Sequence, residues 1–297
     1  MGSHILHSVL STQTSASTVE PHSALIDLPV LLVKTVLLRP YVFVFLAAFL
    51  FSAQRLLGWR RTWLLFGITW VTAFVCEYSS TRNGFPFGWY HYTGSTVGEE
   101  LYLSNIPFMD SLSFTFLLFA SHCLALLFLA PSHPATPPSR PWAIPRLSFD
   151  PLVRRSLPVL GLTVFLFAFI DMVIDPVALR GDRWFLGKIY YYPDPGVHFG
   201  VPLANYVGWA VVGSLSLAAY IPIERRLPPL PLPQETSATG GILLGCGLYL
   251  GVLVFNLVVT FWIGETLQAM AGLLMYMPVF ILAGLRLTGR LAPIQPT

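Results

Sequence analysis

Charge is scarce in this sequence: only 10% of its 297 residues are Asp, Glu, Lys or Arg, where a soluble domain carries about 25%. A globular surface cannot be covered with so few charges, so a water-soluble domain is excluded. Disorder over most of the length is excluded too, because 55% of the residues are hydrophobic and mean hydropathy is +0.67. Basic blocks are absent, and a net charge of +3 from 17 basic and 14 acidic residues argues against a nucleic-acid binder. The three cysteines, Cys76, Cys123 and Cys246, lie far apart in apolar runs and make neither a disulfide framework nor a thiolate metal site. Histidine is not clustered: His4 and His7 form the closest pair, no HxxxH or HxxHH pattern occurs, and an oxygen-dependent di-iron chemistry is disfavoured. There is no Walker-type glycine loop and no dinucleotide fingerprint.

What is present is a series of apolar runs of near-spanning length. They predict an all-α, polytopic helical membrane protein with about seven transmembrane helices, six to eight being the range. The expected spans are 36–54, 62–80, 111–130, 157–176, 202–221, 241–262 and 267–285. An eighth short or re-entrant segment has room near 25–38 or in 183–200. Residues 1–28 read as a flexible tail with no signal peptide, 29–290 as one membrane domain, and 291–297 as a C-terminal tail. Proline-rich segments at 131–151 and 222–239 read as extended spacers. The glycines of 240–251 suit close helix packing.

Eleven of the 17 basic residues fall on alternate loops: Arg55, Arg60, Arg61, Arg140, Arg146, Arg154, Arg155, Arg225, Arg226, Arg286 and Arg290. The positive-inside rule makes that side cytoplasmic and puts the protein in a cell membrane, the inner one, as a multi-pass protein. Of the acids, only Asp150, Glu224 and Glu235 share that side. The others gather on or near the outer side, and an acid within an apolar span costs several kcal/mol unless it is paired or serves a site.

Three segments concentrate chemistry-bearing residues. FVCEYSSTRNGFPFGWYHYTG (74–94) puts Glu77 near the end of a span, then a turn at Asn83-Gly84, then Phe87, Trp89, Tyr90, His91 and Tyr92. An interfacial aromatic belt is the structural alternative for the rings. FAFIDMVIDP (167–176) sets Asp171 and Asp175 four apart, on one helical face. Such a pair can divide into proton donor and anionic partner. It can also pair with Arg82, Arg180 or Arg183, or bind Mg²⁺-diphosphate as in membrane prenyltransferases, although a second aspartate-rich motif is absent. The outer segment 181–209 adds His198 and Asn205, the latter able to hydrogen-bond across helices. Asn256 and Glu265 read as helix–helix adhesion, His122 as a packing histidine, and Glu100, Asp110 and Asp182 as acids tolerated at the outer side.

The strings NGFPFGWYHYTG (83–94), FIDMVIDPVA (169–178) and YYPDPGVHFGVPLANYVGW (191–209) together resemble the integral-membrane carotenoid biosynthesis family that includes bisanhydrobacterioruberin hydratase and the bacterial carotenoid 1′,2′-hydratases. The resemblance covers about 62–285. It implies hydration of the terminal double bond of an acyclic ψ end, as in lycopene, γ-carotene or a C50 precursor, to give a tertiary 1′-hydroxyl without any cofactor or metal. The implied partners are a hydrophobic carotenoid and the lipid bilayer, with other carotenoid-pathway enzymes as further candidates. On chemical grounds the acid–base roles fall to Asp171 and Asp175, with Glu77 in reserve and His91 to orient water. Phe87, Trp89, Tyr90, Tyr92, His198 and Asn205 would hold the substrate, the rings facing a cation. Two other classes remain open: a prenyltransferase-like enzyme using Mg-diphosphate, and a non-catalytic transporter or assembly protein.

Overall fold

The computed structural model describes residues 21–133, 146–230 and 235–290. The expected tails at 1–20 and 291–297, and the central parts of both proline-rich segments, lie outside the described residues. The described residues are all-α apart from short two-residue strands. Helix α1 is Pro21–Leu38, so residues 21–28, expected as tail, are helical. Helix α2 is Pro40–Asn83; strands β1 His91–Tyr92, β2 Tyr102–Leu103 and β3 Ile106–Pro107 follow. Then come α3 Phe108–Leu129, β4 Ser132–His133, β5 Arg146–Leu147, the single turn α4 Pro151–Arg154 and α5 Leu157–Ala178. Strand β6 Tyr190–Tyr191 precedes α6 Leu203–Glu224, α7 Glu235–Trp262 and α8 Thr266–Leu287.

Among the described residues, six helices are long and apolar enough to cross a bilayer: α2, α3, α5, α6, α7 and α8. The protein is thus an integral multi-pass membrane protein. Helix α2, at 44 residues, is about twice the length one crossing needs. It is interrupted at Gly58, whose φ of 72° and ψ of 159° lie outside helical space and are readily reached only without a side chain. The two limbs, 40–57 and 59–83, correspond to the first two expected spans. Both outer ends of α2 reach the same connecting segment. Arg39, just before Pro40, pairs with Glu100 at 2.8 Å, and Arg82 donates to Asn105 at 3.0 Å. The bend meets a different set, Arg61 bonding Glu224 and the Pro228 carbonyl, each at 2.6 Å. The element therefore folds back on itself as a helical hairpin.

Helix α3 is central. Of its most apolar 18-residue stretch 78% is buried, against 22% for α8 at the periphery, and it packs against α2, α5 and α7. Elsewhere the outward rings and aliphatic chains, such as Val44, Val71, Phe165, Val258 and Ile281, are exposed, as a lipid-facing surface requires.

The two ends of the bundle differ. At one, Arg39 and Glu100 are wholly buried; Arg39 also donates to the Leu186 carbonyl at 2.5 Å, and Thr96 donates to Glu100 at 2.5 Å. This knot joins the start of α2 to both connecting segments, 84–107 and 179–202. At the other, Arg61, Arg154 and Arg155 converge on Glu224, and Arg286 donates to the Leu127 carbonyl at the end of α3.

This arrangement predicts labelling in two groups. Single cysteines at Ser95 and Val197, both exposed, should react with an impermeant thiol reagent from one membrane side. Cysteines at Leu152 and Arg225 should react from the other, with the buried native cysteines silent. Reaction of positions 95 and 197 from opposite sides would refute the helical hairpin and the packing built on it.

Candidate functional site

A cavity lies at the Arg39–Glu100 end, among α2, α3, α5, α6 and α7. It has a volume of about 140 Å³, close to that of an engineered protein cavity that accepts benzene. Four carboxyl groups line it: Glu77, Asp110, Asp171 and Asp175. No arginine, lysine or histidine is among its lining residues. The remaining wall is aromatic and aliphatic, including Phe87, Tyr90, Phe114 and Trp209 near the carboxyls and Tyr41, Phe45 and Phe255 farther along.

Helix geometry brings the acids together. Asp171 and Asp175 stand one turn apart near the C-terminal end of α5, and both are buried. Asn205, in the first turn of α6, donates its amide to Asp171 at 2.6 Å and to Asp175 at 3.1 Å. Tyr192 donates to Asp175 at 2.7 Å, and Tyr190 donates to its other oxygen. Asp175 thus accepts three hydrogen bonds and Asp171 one. Across the cavity Glu77, near the end of α2, accepts from Tyr92 at 3.2 Å and from Ser111 in the first turn of α3. Asp110, next to Ser111, also meets the Tyr92 hydroxyl.

The tyrosines are placed by a strand pair. β1 and β6 run antiparallel, His91 opposite Tyr191 and Tyr92 opposite Tyr190. Alternate side chains of a strand point to opposite faces. Tyr90 and Tyr92, with Tyr190 and Tyr192, therefore turn inward, while Trp89, His91 and Tyr191 turn outward. Burial, reinforced by the neighbouring carboxylates, pushes the four inward hydroxyls well above the ordinary phenol range, so they serve as neutral donors.

Of the residues singled out in the sequence, Asp171, Asp175, Glu77, Phe87, Tyr90, Tyr92 and Asn205 line the cavity. His91, Trp89 and His198 do not. Trp89 is half exposed and lies over the Gly84 turn, with His91 beside its ring. His198 Nε2 lies 3.0 Å from the Met172 carbonyl. That acceptor lacks its helical partner because residue 176, four positions on, is a proline without an N–H. A carbonyl can only accept, so Nε2 carries the hydrogen.

The arginine pairing considered for the aspartates does not occur. Arg180 and Arg183 bind Glu265, and Arg82 bonds Ser104 and Asn105. Asp110 and Glu100, expected as acids tolerated at the outer side, are respectively in the cavity wall and in the buried ion pair. His122 bonds Thr163 at 3.1 Å, as a packing histidine would. The sequence reading passed over Tyr190, Tyr192, Phe114 and Trp209. Phe114 and Trp209 stack with centroids 4.2 Å apart. Only the alternation in WYHY and YYY hinted at an inward set, and two-residue strands give little periodicity to read. Among the described residues no group of three or more His, Cys, Asp or Glu is disposed to hold a metal ion.

The wall is closed by a glycine contact. A Cβ on Gly208 of α6 would lie 2.3 Å from Phe87 Cδ1 and 2.8 Å from its Cα. Gly208→Ala should therefore displace Phe87 and lower stability by about 1–3 kcal/mol. Gly247→Ala in α7, which meets nothing within 4 Å, should be neutral or stabilising. Unfolding midpoints in detergent check the contrast, and equal effects would contradict it.

Comparison with known proteins adds independent findings. The carotenoid biosynthesis protein family matches residues 33–279. Bisanhydrobacterioruberin hydratase of Haloarcula japonica is 27% identical over 219 residues, which is 72% of this chain and 62% of the relative. The chain thus spans less than two thirds of that relative's length. No solved structure matches.

Proposed function

The chain belongs to the carotenoid biosynthesis protein family, and on that premise we propose that it adds water to the terminal double bond of an acyclic carotenoid end. The observation that carries this reading is the convergence of four carboxyl groups and a ring-lined wall on one benzene-sized cavity free of basic side chains. One isoprenoid terminus fills such a volume. The polyene behind it would lie along Tyr41, Phe45, Phe116 and Phe255, between the first limb of α2, α3 and α7. The hydratase named for the relative gives the reaction class; lycopene, γ-carotene and C50 precursors share the required end.

Hydration needs a proton at C2′, a tertiary cation at C1′, and water adding to C1′ with loss of a proton. Asp171, held by one donor, is placed to hand over the proton. Asp175, held by three donors, keeps a fixed orientation and receives the proton that the attacking water loses. Glu77 and Asp110 add two further carboxyl groups to the wall of the same cavity. Buried carboxylates without cationic partners are costly, and a cation formed between them relieves that cost. The reaction gains what the resting cavity lacks. The Phe114–Trp209 stack and Tyr90 present ring faces to the same charge. The reaction balances without redox change. A diphosphate substrate would meet four carboxyls and no basic side chain here, which disfavours the prenyltransferase reading. If the arginine-rich end faces the cytoplasm, the cavity sits toward the non-cytoplasmic interface, in the inner membrane.

Membranes containing the protein, given lycopene in ¹⁸O-water without oxygen and with a chelator, should yield a product heavier by one labelled water. Absence of that product from folded, lycopene-loaded protein would overturn the reading. Dependence on oxygen, or mass gained in five-carbon units with Mg²⁺, would instead assign another class. At equal membrane level, Asp171→Asn and Asp175→Asn should each lower turnover by about 10²-fold or more. Trp209→Leu should lower it by about tenfold, for a cation–π contact of about 0.5–2 kcal/mol plus lost packing. Trp89→Phe, outside the cavity, should leave turnover within about twofold.

A further inference from the structure

At the end of the bundle opposite the carboxyl cavity, three arginines face one carboxylate. Arg61 Nε lies 2.6 Å and Arg154 Nη2 2.7 Å from Glu224 Oε1, and Arg155 reaches Oε2. Glu224 is wholly buried, Arg61 and Arg154 are 6% and 5% exposed, and the Arg155 side chain is 21% exposed. The cluster therefore sets three positive charges against one negative, with at least one surplus charge held out of water, a costly arrangement unless an anion completes it. The ring of Phe149, 5.3 Å from the Arg154 guanidinium, offsets only part.

Beside the cluster is a second, smaller cavity of about 30 Å³, lined by Arg154, Arg155, Tyr220, Glu224 and His122 and otherwise by aliphatic chains and Phe119. Four polar atoms of its lining residues have no hydrogen-bond partner: the donors Arg154 Nε, Arg155 Nε and the Tyr220 hydroxyl, and the acceptor Glu224 Oε2, which Arg155 meets as an ion pair. Buried donors are almost always satisfied, so three orphan donors around one cavity, beside surplus positive charge and against a single carboxylate oxygen already ion-paired, mark a missing acceptor. Helix α5 begins two residues after Arg155, and its N-terminal N–H groups add positive potential to the same region.

We propose that this cavity binds a small monovalent anion of chloride size. The volume holds one or two water-sized particles, so a single-atom anion fits and a four-oxygen phosphate group does not. Water could accept the same hydrogen bonds but would leave the charge excess in place. Aliphatic walls favour a weakly hydrated halide over a strongly hydrated anion. The bound ion would complete the junction of the α2 bend, the start of α5 and the end of α6, which the arginines and Glu224 already tie together.

The test uses the full chain in detergent at constant ionic strength. Replacing gluconate by chloride or bromide should raise the unfolding midpoint and saturate, while sulfate and phosphate should not. Tyr220→Phe removes one donor and leaves the arginine–glutamate pairs untouched. It should raise the half-saturating chloride concentration by about tenfold or more, the worth of one hydrogen bond to a charged acceptor, with its midpoint in gluconate preserved. Anomalous density for bromide should appear between Arg154, Arg155 and Tyr220. Chloride acting no differently from gluconate, or only water in the cavity, would overturn the proposal. A saturating gain that requires phosphatidylglycerol and not chloride would overturn it as well, assigning the arginines to a lipid phosphodiester.

Discussion

A polar group in a lipid-embedded bundle has to find its partner inside the protein, because hydrocarbon offers none. The carboxyl cavity obeys this rule with neutral donors alone. Asn205, Ser111, Tyr92, Tyr190 and Tyr192 bind the acids, and the arginines of the same end are taken elsewhere, by Glu100, Glu265 and backbone carbonyls. The acids are held in place without being neutralised by fixed cations. Had Arg180 or Arg183 reached the aspartates, an ion pair would occupy the space in which positive charge is proposed to develop.

The same constraint shapes the connecting segments. A short antiparallel pair joins 91–92 to 190–191 and aims four hydroxyls inward. The buried Arg39–Glu100 pair and the Trp184 and Arg180 bonds to the end of α5 hold the two segments over the helix ends. His198 takes the carbonyl that Pro176 leaves open. These groups act on the architecture around the cavity, whose wall combines helix residues with the inward tyrosines of the two segments. The opposite end is organised by arginine in place of tyrosine, with one glutamate shared among three cations. The cavity carboxyls gather at one end and the three-arginine cluster at the other, separated by the apolar length of α3.

Much of the fold was legible because spanning helices write themselves as long apolar runs. The expected spans match the helices to within a few residues, and the first two appear as limbs of one element bent at Gly58. Part of the site was legible for a related reason: Asp171 and Asp175 stand four apart in an apolar helix, and Glu77 ends another. Asp110 was not, because an acid at a span boundary is ordinarily tolerated there. Trp209 and Phe114 looked like any apolar ring in a span, although each lies in the cavity wall. Trp89 and His91 drew notice through their chemistry, while their outward direction depended on a strand pair formed by residues about a hundred positions apart.

Local sequence by itself determined what short-range physics governs: apolar length, helical spacing of the aspartates, the places where proline and glycine break a helix, and the division of basic residues between loops. Tertiary structure alone decided which donors meet which acids, which rings turn inward, and where each arginine finds its carboxylate. Those choices join residues 77 with 111, 171 with 205, and 154 with 224. No local pattern encodes them, because each pairing is settled by which helix ends pack together, and buried polar atoms then take the partners that packing leaves within reach.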